Sequence, residues 1–261
     1  MSEPMLRTTG LAKRFGALVA TDDVSLSITP GEMHALIGPN GAGKTTLIGQ
    51  LTGELRPNAG QISFEGRDIT YLSVDQRARL GLARSFQITS VFSSFTAEGN
   101  VALAVQGREA HSFNFWRAAN TVAQLREPAR ACLRDVGLLG RSDAIAGGMS
   151  HGEHRQLELA MALATQPKML LLDEPMAGLG TQESQAMTEL LRRLKGAYTI
   201  LLVEHDMDVV FALADRVSVL VRGRIIASGS PAEIRENPDV RFAYLGEEEV
   251  DPRAELINAS R

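Results

Sequence analysis

The most specific chemistry in the chain is carried by 38-GPNGAGKTT-46, which matches the G-x-x-x-x-G-K-[ST] phosphate loop with Gly38, Gly43, Lys44 and Thr45 in the required places. Glycines let the backbone fold back so that successive N–H groups point inward at phosphate oxygens. A helix starting near Lys44 adds its positive dipole end. Asn40, Gly41 and Thr46 complete the loop as further nucleotide contacts. Lys44 suits the β- and γ-phosphates as a point charge, and the Thr45 hydroxyl suits a Mg²⁺ that bridges them. The motif specifies a nucleotide and leaves the reaction open. No Asn-Lys-x-Asp guanine-reading motif occurs, which favours ATP over GTP.

Two further segments end apolar runs in ionisable residues. In 169-MLLLDEP-175 a strand would finish at Asp173 and Glu174, at the sheet edge where open α/β sheets bind ligands. Asp173 suits the Mg²⁺ shell, while Glu174 could orient or deprotonate the water that attacks the γ-phosphate. In 198-YTILLV-203 the strand runs into 204-EHD-206, so His205 would lie at the same edge, within reach of the γ-phosphate and the attacking water. By its position alone, a histidine at a strand end is more often structural.

The elements that must position these groups follow from apolar spacing. From Met5 to about Phe86 short apolar runs are bounded by Gly, Pro and Asp, which predicts strands and turns. Val24, Leu26 and Ile28 alternate as one face of an antiparallel strand, and Pro30-Gly31 turns the chain into a second strand at 33-MHALIG-38. Ser73 and Gln76 form a capping box for a helix that stops at Gly81. Residues 88–164 read as helical. Strands return at 168–173 and 198–203 around an amphipathic helix from Thr181 to Lys195, the pattern of a parallel βαβ sheet. Two strands and a helix capped by Ser230, with Pro231 and Glu233, close the chain. The predicted class is an α/β P-loop NTPase with a mainly parallel sheet, an N-terminal antiparallel β portion and an inserted helical subdomain at 88–164 of a single 1–261 domain.

Composition narrows the setting. The 261 residues hold 27 Lys+Arg against 31 Asp+Glu, a formal charge of −4 that argues against a nucleic-acid footprint. The single Cys132, the lack of an apolar leader and the lack of any bilayer-length apolar run predict a cytosolic chain that does not itself cross a membrane.

Taken in order, these motifs resemble the ATP-binding cassette of ABC transporters, from about Leu11 to Gly246. The specific addition is 149-MSHGEHRQLELAMALATQPKMLLLDEP-175, which looks like the ABC signature loop and its helix leading into the Walker B strand. The resemblance implies that Ser150 and Gly152 face the γ-phosphate held by a second cassette, that Glu174 is the catalytic carboxylate, and that His205 is the switch histidine. It further implies that Phe15, ahead of the first strand, stacks on adenine beside Val19. Gln87, closing RSFQ, would be the Q-loop glutamine that contacts Mg²⁺ and the attacking water. Two departures stand out: His151 and Glu153 replace the usual signature glycine and glutamine, and 177-AGLG-180 lacks the D-loop aspartate. Ser150 and Gly152 remain, so γ-phosphate recognition is expected to survive, although a carboxylate at Glu153 could weaken it by charge repulsion.

ARSFQITSVFSSFTAEGNV, VEHDMDVVFALADRV and SPAEIRENPDVRFAYLGEEE narrow the resemblance to ATPase subunits of branched-chain amino acid importers and their relatives for urea, amides or aromatic acids. Segment 108–130, with Phe113, Phe115, Trp116 and Arg117, resembles the extra residues of the longer ATPase subunit in that class; it serves as a partner surface or as subdomain core. The implied partners are transmembrane permease subunits, a second ATP-binding subunit (paralogue or identical copy) and, indirectly, a solute-binding protein, with the chain peripheral on the cytoplasmic face of the inner membrane. The competing reading is a soluble ABC ATPase of DNA maintenance or translation. It is disfavoured because the chain has neither sustained heptads nor a second cassette.

Overall fold

The computed structural model describes residues 3–85, 91–108 and 118–245. Two sheets organise them. The first is antiparallel and contains β1 (Leu6–Phe15), β2 (Leu18–Ile28), β4 (Ala59–Phe64) and β5 (Arg67–Asp68), in the order β2-β1-β4-β5. The second contains β3 (Met33–Ile37), β6 (Leu82–Ser85), β7 (Met169–Asp173), β8 (Thr199–Val203), β9 (Arg216–Val221) and β10 (Arg224–Gly229), in the order β10-β9-β3-β8-β7-β6. All neighbours from β9 to β6 run parallel, and β10 returns antiparallel to β9.

Val24, Leu26 and Ile28 are buried and alternate with exposed positions along β2, as their spacing predicts. Pro30-Gly31 then turns the chain into β3, as expected, and that strand lies in the other sheet, since β2 pairs with β1 and β3 pairs with β8 and β9. Phe15 departs from expectation: it ends β1 rather than preceding the first strand, because the chain is already extended and paired from Leu6.

Strands β3, β7 and β8 are buried at every position, which explains why they read as unbroken apolar runs. Alternate residues serve two cores. Leu36, Met169, Leu171, Leu201 and Val203 pack with Leu47, Ile48 and Leu51 of α1 (Lys44–Thr52), and beyond them with the first sheet. Leu170, Leu172, Ile200 and Leu202 face a helical layer built from α3 (Ala97–Arg108), α4 (Ala118–Asp135), α5 (His151–Ala164) and α6 (Thr181–Leu194). The first three of these helices lie between β6 and β7 in the chain, and α6 joins β7 to β8. A third core packs α7 (Met207–Leu213), α8 (Pro231–Glu236) and α9 (Pro238–Leu245) on β3 and β9 through Val210, Ile234, Val240, Ala35, Ile37 and Val219. No helix of the described residues is long and apolar enough to cross a membrane.

Helix α1 matters most for the site, because it starts at Lys44, and its far end is pinned by one buried cation. Arg77, on α2 (Val74–Arg79), is 2% exposed. It donates to the carbonyls of Gln50 at 2.7 Å, Leu51 at 2.6 Å, Thr70 at 2.9 Å and Leu72 at 3.1 Å. The first two belong to the last turn of α1, whose carbonyls lack intrahelical partners and carry the negative end of the helix dipole. Arg77→Met would strand these acceptors in a dry site and should cost roughly 2–4 kcal/mol of stability. Urea unfolding checks this, and a loss well under 1 kcal/mol would show that the guanidinium does not pin α1.

Candidate functional site

Strands β3, β8 and β7 end at one edge. Leu36 is registered with Val203, and Val203 with Asp173. The phosphate loop after β3, Asp173 and Glu174 after β7, and Glu204 and His205 after β8 therefore share the carboxyl edge of the sheet. Because β8 lies between β3 and β7, the loop and the acids are separated by two strand spacings, roughly 10 Å of backbone.

Close packing dictates the glycines of the loop. A Cβ at Gly38 would lie 2.0 Å from the Leu220 carbonyl oxygen, and one at Gly43 would lie 2.2 Å from that of Ala20. The Gly223 N–H donates to the Ala42 carbonyl at 2.8 Å and ties the loop to the turn between β9 and β10. Lys44 is buried, and its ammonium donates to the Gly38 and Pro39 carbonyls of the loop. Asn40, Gly41 and Thr45 are exposed and Thr46 is half-buried. The arrangement is a cradle of backbone donors at the start of α1 with a cation inside it, which fits phosphate.

Asp173 is 9% exposed. Burial pushes its pKa above the usual carboxylate range, while Arg84, bonded to Asp173 Oδ2 at 3.0 Å, pulls in the opposite direction. Glu174 is half-buried and has φ of +52°, a left-handed conformation that costs a non-glycine residue energy and that here turns it away from the line of β7. Its N–H donates to Val203 O at 2.9 Å. Glu204 is fully buried; burial raises its pKa, opposed by the N–H groups of Met176 at 2.9 Å and His205 at 3.2 Å. That carboxylate joins the turn after β7 to the turn after β8 and leaves His205 exposed, its Nδ1 3.8 Å from Glu204.

Away from this edge, Ser150 caps α5. Its hydroxyl accepts from the Glu153 N–H at 3.2 Å, and Glu153 accepts from the Ser150 N–H at 2.8 Å. Glu153 is also paired with Arg141 at 2.8 Å, and its pKa is lowered chiefly by the Ser150 N–H. The repulsion expected of that carboxylate is thus countered by a neighbouring cation. Ser150 Oγ and the Gly152 N–H both donate to Glu183 Oε1, each at 3.2 Å. The same donor pair therefore already accommodates an anionic oxygen. A Cβ at Gly152 would fall 2.7 Å from that carboxylate. His151 packs beside Gly178.

Phe15 is 46% exposed with Lys13 Nζ 5.3 Å from its ring centroid, so it is a surface aromatic and not a core one. Gln87 lies outside the described residues, as do Phe113, Phe115, Trp116 and Arg117. Sequence reasoning missed Arg84, Glu183 and Glu204. Glu204 stood beside His205 with nothing to mark it as buried, and Arg84 meets Asp173 only because β6 pairs with β7. The one legible trace of Glu183 is its capping-box spacing from Gly180, whose N–H it accepts at 3.3 Å.

Comparison with known proteins agrees with this geometry. The ABC transporter family model matches residues 21–177, and the branched-chain amino acid ATP-binding cassette transporter model matches residues 224–250. The chain is 41% identical to the high-affinity branched-chain amino acid transport ATP-binding protein LivG of Salmonella typhimurium, over 95% of this chain and 100% of that protein. It is 38% identical to the corresponding protein BraF of Pseudomonas aeruginosa, with the same coverage. The crystal structure of an ATP-binding cassette of an ABC transporter in its ADP conformation superposes with a TM-score of 0.81 at 30% identity, covering 94% of this chain and 100% of that one. With the phosphate loop and the acid edge in one fold, and with full-length relatives at 38–41% identity, the chain belongs to the ABC transporter family as an ATP-binding, ATP-hydrolysing cassette.

Proposed function

We propose that the chain powers a membrane importer for branched-chain amino acids or related small polar solutes, seated on separate permease subunits at the cytoplasmic face of the membrane. The observation that carries this reading is the match of residues 224–250 to the branched-chain amino acid cassette model, joined to full-length similarity with LivG and BraF. The remaining partners are a second ATP-binding subunit, either a paralogue or a second copy, and a solute-binding protein that delivers cargo to the permease.

In this reading the loop N–H groups and Lys44 hold the phosphates, and Phe15 offers its exposed face to adenine. The Thr45 hydroxyl and the Asp173 carboxylate are hard oxygen donors, a set that fits Mg²⁺, with Gln87 as a further ligand. When bound, Mg²⁺ neutralises charge that develops on the phosphate oxygens. Glu174 takes the proton of the attacking water, and His205 steadies that water against the γ-phosphate. Ser150 and Gly152 serve the second cassette: the two donors that accommodate the Glu183 carboxylate within the chain have the chemistry to accept a γ-phosphate oxygen from the partner's nucleotide. Closure of the two cassettes around ATP then moves the permease, and phosphate release lets them part.

Glu174→Gln keeps the shape and removes the base. It should lower kcat at least about 100-fold while leaving an ATP-bound pair of cassettes intact, read by phosphate release and by light scattering; unimpaired turnover would reject Glu174 as the base. Lys44→Ala removes the cation from the loop and should weaken ATP binding tenfold or more, about 1.4 kcal/mol, measured by calorimetry. Binding at the parent affinity would overturn the phosphate-loop assignment.

A further inference from the structure

Arg84 connects two acids that the sequence gives no reason to associate. On β6 it is registered with Leu171 of β7, and its side chain reaches the end of that strand. One terminal nitrogen donates to Asp173 Oδ2 at 3.0 Å, and the other donates to both oxygens of Glu54 at 2.6 Å each. The Arg84 and Asp173 side chains are 13% and 9% exposed, so water screens this contact little. Glu54 follows directly on the Gly53 cap of α1, the helix that starts at Lys44. The guanidinium thus joins the segment behind the phosphate loop to the acid in front of it, from a position three residues before Gln87.

A cation touching a metal-binding carboxylate can act in two opposite ways. By charge it repels the metal; by geometry it fixes the carboxylate. The Glu54 contact weights the balance toward geometry. Two short charge-assisted hydrogen bonds to Glu54 offset part of the guanidinium charge, so the positive field at Asp173 is reduced but not removed. The contact also sets orientation: with Oδ2 anchored, the carboxylate cannot rotate freely, and Oδ1 keeps one direction. Hydrogen-bonded partners of metal ligands commonly contribute 10–100-fold to metal affinity in this manner.

We propose that Arg84 is a positioning residue for Asp173, anchoring Oδ2 so that Oδ1 is presented to the nucleotide-bound divalent cation, with Glu54 holding the guanidinium in place and offsetting part of its charge. The proposal rests on the reading of Asp173 as a metal ligand. Arg84→Met loses the anchor. Glu54→Gln keeps the anchor but leaves its charge uncompensated beside the metal. Arg84→Lys keeps the charge but loses the planar fork that spans both acids.

The test is a Mn²⁺ titration of the full chain loaded with a non-hydrolysable ATP analogue, followed by electron paramagnetic resonance, with Asp173→Asn setting the scale. Binding of a fluorescent ATP analogue in EDTA reports the metal-free site. All three substitutions at Arg84 and Glu54 should weaken Mn²⁺ about tenfold or more, and EDTA binding should stay within about twofold of the parent. If Asp173→Asn weakens Mn²⁺ while Arg84→Met and Glu54→Gln do not, the positioning role is overturned and the metal-ligand reading stands. An equal loss with and without metal would reduce Arg84 to a structural part and likewise overturn the proposal. If Asp173→Asn leaves Mn²⁺ binding unchanged, the metal-ligand reading fails and the proposal fails with it.

Discussion

The structure depends on the register of three parallel strands. Because β3, β8 and β7 pair with Leu36 beside Val203 and Val203 beside Asp173, a phosphate cradle, two carboxylates and a histidine from distant parts of the chain emerge at one edge. A slip of one residue would invert each strand's side chains between the two cores and aim Asp173 at the wrong face. Burial of these strands on both faces makes such a slip costly, since Leu170 and Leu172 belong to one core and Met169 and Leu171 to the other. The apolar packing that stabilises the fold is therefore also what aligns the site.

Holding charge at that edge needs compensation, and the chain supplies it within a short radius. Lys44 is satisfied by loop carbonyls, Asp173 by Arg84, and Glu204 by two backbone N–H groups. Each buried charge meets an opposite charge or a fixed dipole, without which burial would be prohibitive. Glu174 is the member held in a left-handed conformation, and local strain at a residue proposed to handle the attacking water is consistent with a geometry kept for chemistry. The signature segment lies elsewhere, at the start of α5, with its donors turned to Glu183. This placement suits a loop that serves a second cassette's nucleotide.

Much of this is legible in the sequence, for identifiable reasons. The phosphate loop and the acid pair are local motifs whose spacing encodes their geometry, and the unbroken apolar runs of β7 and β8 announced strands covered on both faces. Phe15 was legible as a candidate, but its place at the end of β1 was not, because LRTTGLAKRF has too little alternation to mark a strand. Pairwise contacts across strands stayed hidden. Arg84 and Asp173 are far apart in sequence and meet through the β6–β7 pairing, while the burial of Glu204 follows from the turn that folds over it. Nothing in the sequence around Glu153 indicates that Arg141 lies beside it and offsets its charge.

The central claim is that this edge forms half of an ATP site completed by a second cassette of a membrane importer. The most direct measurement is the structure of the assembled importer, with both cassettes and their permease subunits, trapped with ATP. The account predicts a γ-phosphate oxygen within hydrogen-bond distance of Lys44 of one cassette and of a signature-loop donor of the opposite cassette, Ser150 and Gly152 supplying those donors where this chain stands opposite. A γ-phosphate enclosed by a single cassette, with Ser150 and Gly152 still turned to Glu183, would contradict it.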